Sequence, residues 1–159
     1  MPWRFSPGSL WLPVLFLSSV AAVPAQPPVD DVSPRERSAL AGSFAAERLW
    51  VWQKRLNLQD WNVSVLMSRT GELKPKTLGN IHWDMEKKTA VIRVLDPADY
   101  RLPFREMLQD MEFTVVHELI HLGFAPVVSD LQRSDANRRE EEHAVNHMAE
   151  ALLKLDRSQ

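Results

Sequence analysis

The stretch Thr114-Val115-Val116-His117-Glu118-Leu119-Ile120-His121-Leu122 reads as a helix with apolar residues on nearly every side. Such a helix has to be surrounded by the rest of the chain. Two histidines and a glutamate inside it are costly to bury unless they are paired or bound to a metal. His117 and His121 lie four residues apart, about 40° of rotation on a helix, so both imidazoles project from one face one turn apart. Two ring nitrogens placed so can share one ion, and Glu118 beside the first can hydrogen-bond a water held there. The HExxH pattern is therefore a candidate catalytic zinc site. The competing reading is a core helix with two satisfied histidines.

The 159 residues allow one domain, and an apolar content of 45% is that of an ordinary globular protein. With a formal net charge of −2 and interspersed charges, no basic field exists for nucleic acid or anionic lipid, and polyanion partners are not expected. The chain has no cysteine. Disulfides and thiolate metal sites are thereby excluded, and any zinc must be held by histidine and carboxylate.

Residues 1–25 have the make-up of a secretory signal peptide: Arg4, an apolar run from Leu10 to Val23, and small residues before a cleavage point at Ala25. The run is too short for a spanning helix and is interrupted by Pro13. Cleavage would leave a protein in the periplasm or outside the cell, with no stable membrane insertion. Residues 26–32 read as a linker, and the domain as 33–159. Ser33-Pro34-Arg35-Glu36 is a helix start with a capping box. Ala41, Ala45, Leu49, Trp52 and Leu56 then recur at helical spacing to about Leu58, a stripe that reads as core. Trp61 to Met67 alternates as a half-buried strand, and strands at about Asn80–Met85 and Thr89–Leu95 form an expected hairpin. His82 falls on the other pleat from Ile81 and Trp83 and reads as a surface residue. The motif helix is expected from about Arg105 until Gly123-Phe124-Ala125-Pro126 stops it, and a last helix after Ser134, with Asn137 as a candidate cap. Tyr100, the one tyrosine, is a candidate hydrogen-bond donor to a developing oxyanion.

A catalytic zinc commonly takes three protein ligands, leaving one position for water. Glu140, Glu141, Glu142, His143 and His147 are the candidates for the third. The apolar stripe of the last helix, Val145, Ala149, Leu152 and Leu153, shares its face with Glu142 and Asn146, while His143, His147, Glu150 and Lys154 lie together on a polar face. Glu142 is therefore expected to point at the core as third ligand. Asn146, one turn on, is placed to orient a ligand histidine through its other ring nitrogen.

HExxH followed after twenty residues by Glu-x-x-x-Asn resembles the gluzincins, the thermolysin-like zinc metallopeptidases, and among them the short minigluzincins. In that family the downstream glutamate is the third ligand and an acidic residue four later supports a histidine; here that position is Asn146. Phe124 and Val127 stand where the metzincin motif needs glycine and a further ligand. The resemblance implies an α+β fold: an N-terminal helix and a small three-stranded sheet, packed on the motif helix and closed by the ligand-bearing helix. It also implies an edge strand that pairs with an extended peptide, for which Thr89–Leu95 is the candidate.

The activity so implied is zinc-dependent hydrolysis of a peptide or protein substrate, with His117, His121 and Glu142 on the metal and Glu118 as the base. Only thirteen residues follow Asn146, so a shallow or open cleft is expected. Two rivals stand beside this reading: a zinc-binding envelope module with little or no turnover, and a latent enzyme blocked by its own terminal segment.

Overall fold

The computed structural model describes residues 32–128 and 134–158. The expected signal peptide and all but the last residue of the expected linker lie outside them. The fold is α+β, as expected, with three long helices and one three-stranded sheet.

Helix α1 spans Pro34–Arg55. Its start is the capping box read from the sequence: Ser33 Oγ accepts from the Glu36 amide, and the Glu36 carboxylate accepts from the Ser33 amide at 3.0 Å. It ends three residues before Leu58 because Asn57 takes a φ of 57°, the left-handed conformation that closes helices and that asparagine tolerates. The stripe Ala41, Ala45, Leu49 and Trp52 is buried.

Strands β1 (Asn62–Ser68), β2 (Gly79–Asp84) and β3 (Thr89–Leu95) follow. β2 and β3 form the expected antiparallel hairpin, and β1 pairs with β3 in parallel. The order is β1-β3-β2. The candidate edge strand Thr89–Leu95 is therefore the central one, with both sides hydrogen-bonded, and the edges are β1 and β2. The alternation of β3 buries Ala90, Ile92 and Val94; it reports which face is inward and carries no information about neighbours.

Helix α2, Phe104–Val128, runs through the core. Val115, Val116, Leu119 and Leu122 are fully buried among the sheet, α1 and the last helix. The stop expected at Gly123–Pro126 does not occur. Ala125 is buried and Phe124 packs against the core, so packing holds the last turn helical against the local propensities of glycine and proline. Helix α3, Asp135–Arg157, begins after Ser134 as expected, but the cap is Ser134 itself and not Asn137: its Oγ accepts from the Asn137 amide at 3.1 Å. Val145, Ala149 and Leu153 are its buried residues.

The three helices are tied by an ionic cluster. Glu112 of α2, 7% exposed, accepts from Arg48 Nε at 2.5 Å and from Trp52 Nε1 at 2.8 Å, both from α1. Arg48 also reaches Asp156 of α3 at 3.0 Å, and Arg55 holds the same carboxylate.

Candidate metal centre

His117 and His121 project from one face of α2, as their spacing requires, and their Nε2 atoms are 3.1 Å apart. Each ring is held by its other nitrogen. His117 Nδ1 donates to Asn146 Oδ1 at 3.0 Å, and His121 Nδ1 donates to Glu141 Oε1 at 2.9 Å. With both Nδ1 protons committed to acceptors on α3, both Nε2 atoms present lone pairs to the same small volume. Burial and the neighbouring His121 push the His117 pKa down, which favours the neutral, ligating form.

Glu142 completes the group. Its carboxylate lies 3.3 Å from His117 Nε2 and 3.5 Å from His121 Nε2. His117, His121 and Glu142 together could hold a metal ion. Glu142 is not directed into the core, however: its side chain is 50% exposed. The apolar stripe of α3 is buried only from Val145 onward, and Glu142, on nearly the same phase one turn earlier, overhangs the cleft beyond the core. The carboxylate thereby keeps its hydration while facing the two imidazoles.

Glu141 is the residue that sequence reading missed. It lies about 100° from Glu142 round the helix and was expected to stand apart from the metal, yet it orients His121 from the flank of the stripe. One signal was present. Leu152, counted as part of the apolar face, is eleven residues from Glu141, which is about 20° of rotation. Asn146 does what its phase suggested.

Glu118 is buried beside the first histidine. Burial, with the Glu142 charge adding and Lys74 opposing, raises its pKa to about 8. The end of β2 lies against it: a Cβ added at Gly79 would stand 3.6 Å from Glu118 Oε1, and only 2.3 Å from Thr114 Cγ2. Glycine is needed there for the strand to approach α2. The resulting cleft, about 440 Å³, is lined by β2 from Gly79 to Ile81, by Thr114, His117, Glu118 and His121 of α2, and by Glu141, Glu142 and Asn146 of α3. Its size is that of an ordinary ligand site.

Tyr100 is not part of this cleft. Its hydroxyl donates to Asp110 at 2.9 Å, and the ring packs against the small cluster of Ala41, Phe104, Met107 and Met111. Asp110 precedes His117 by two turns, roughly 10 Å along the axis, so the phenol does not reach the metal group. His82 is exposed on β2, as expected. No family model, curated protein or solved structure matches the chain.

Proposed function

We propose that this chain is a zinc-dependent peptidase of the gluzincin type, acting in the cell envelope or outside the cell. The observation that carries the proposal is the closeness of the three donor groups: the two Nε2 atoms are 3.1 Å apart, and the Glu142 carboxylate sets Oε2 3.3 Å from the Nε2 of His117 and Oε1 3.5 Å from that of His121. Four ligands arranged tetrahedrally at roughly 2.0–2.1 Å from one ion stand about 3.3 Å apart. Two imidazoles and a carboxylate, each imidazole oriented from behind, match the donor set of a catalytic zinc with one position left for water. A zinc ion bound there would polarise a peptide carbonyl, make a nearby water more acidic and draw the Glu118 pKa down.

The chain's own groups have separable tasks. Glu118 takes a proton from the attacking water and returns it to the leaving amine. Its dry position against β2 strengthens its interaction with developing charge and limits competing water. β2 has one side paired with β3; its other side borders the cleft, where an extended peptide would add as a further strand. Asn146 and Glu141 keep both ring Nε2 atoms aimed at one point.

The deciding experiment compares the wild type with Glu118→Gln for zinc content and for cleavage of a mixed peptide library. We expect one zinc per chain in both and at least ~10²–10⁴-fold slower cleavage in the variant. Zinc without turnover in the wild type would leave a binding module. Turnover only after terminal truncation would mean a latent enzyme.

A further inference from the structure

A second histidine pair stands on another side of the same turns of α3. His143 and His147 of α3 are both exposed, their Nε2 atoms are 3.1 Å apart, and their rings are 4.3 Å between centroids. They follow directly after Glu142 and Asn146, so about 100° of rotation turns them away from the cleft and toward solvent.

We propose that His143 and His147 form a second, solvent-facing site for a late first-row divalent cation, copper(II) foremost. The i, i+4 spacing on a regular helix brings the two ring nitrogens to one place without backbone movement. Two nitrogens sharing one ion at about 2.0 Å stand roughly 2.8 Å apart at a right angle and about 3.3 Å apart in a tetrahedron. The 3.1 Å separation falls between these values. Among the described residues no carboxylate joins this pair as a third donor, in contrast to the His117 group. Two imidazoles with the remaining positions given to water impose little geometry, so affinity follows the intrinsic order of the metals, in which copper(II) leads. Exposure also lets the ion keep its remaining waters and bind without being buried. This assignment does not depend on the peptidase reading.

The test is a copper(II) titration of the chelator-stripped full chain, followed by calorimetry and electron paramagnetic resonance, with His143→Gln, His147→Gln and His82→Gln. The wild type and His82→Gln should bind one equivalent more than His143→Gln or His147→Gln, or bind that equivalent about tenfold or more tightly. The readout is this difference, whether or not the His117 site also fills. In the wild type, paramagnetic broadening of amide resonances should centre on residues 143–147, a measurement that needs no variant to fold. Equal stoichiometry and affinity in all four proteins would overturn the assignment. So would broadening centred elsewhere.

Discussion

At the scale of single residues, the two acceptors behind the histidines are the most informative. Asn146 and Glu141 each fix the tautomer and direction of one ring. Asn146→Ala and Glu141→Ala should each weaken zinc binding by ~10–100-fold, measured by competition with a chromogenic chelator. Glu141→Gln should recover part of the loss, because its amide oxygen can still accept from His121. Gly79 makes a different demand. An alanine there meets Thr114 Cγ2 and the backbone oxygen of Arg93 well inside contact distance, whereas a Cβ at Gly42 in α1 meets nothing within 4 Å. Gly79→Ala should therefore cost about 1–3 kcal/mol and slow any cleavage, since β2 must move off Glu118. Gly42→Ala should be neutral or stabilising by up to about 1 kcal/mol. Thermal denaturation of the pair separates a local clash from a general intolerance of alanine.

At the scale of elements, what could be read depended on whether a pattern reports facing or neighbourhood. Helical phase reports facing, so the histidine pair and Asn146 were legible, and so was the stripe of α1; Glu142 was singled out by its phase but overhangs the cleft instead of facing the core. Glu141 was not, because a long side chain on the flank of a stripe can reach a partner that its phase alone does not indicate. Strand alternation likewise separates inside from outside but is silent on order, which is why β3 could be mistaken for an edge. The end of α2 was misread for a third reason: Gly123 and Pro126 act locally, and the burial of Leu122 and Ala125 outweighs them. The ionic cluster that joins α1, α2 and α3 had no sequence signature, since Arg48, Glu112 and Asp156 are brought together only by the fold. Glu112→Ala leaves Arg48 and the Trp52 indole N–H without their shared acceptor inside a mostly apolar junction. Because Arg48 keeps its bridge to Asp156, the cost is that of the unpaired indole N–H and the lost second bond, about 1–3 kcal/mol, read as a lower midpoint in urea with an unchanged slope.

At the scale of the whole molecule, the site is the seam between α2 and α3. α2 contributes two rings and Glu118; α3 contributes the carboxylate and both orienting acceptors. A metal there would join two helices as well as serve chemistry, and the metal-free protein should carry the cost of an incomplete junction. Glu118 makes that cost pH-dependent. Its pKa is raised from 4.5 to about 8 in the folded chain. Below pH 4.5 the carboxyl is protonated in both folded and unfolded states and imposes no penalty. As pH rises from there, the unfolded chain releases this proton while the folded chain retains it, so stability falls until about pH 8, where the folded form titrates as well. Glu118→Gln has no such proton to lose. In chelator-treated protein the variant should therefore gain on the wild type steadily between pH 4.5 and 8, by about 1.4 kcal/mol per pH unit at most, and the gap should level off above pH 8. With zinc added, a dication beside Glu118 favours its carboxylate, and the pH-dependent gap should shrink. Denaturation midpoints for both proteins across that pH range, with and without zinc, check it. A gap that stays constant from pH 5 to 8 in the stripped protein would mean that Glu118 is already ionised there, and that the burial of its carboxyl does not control its charge.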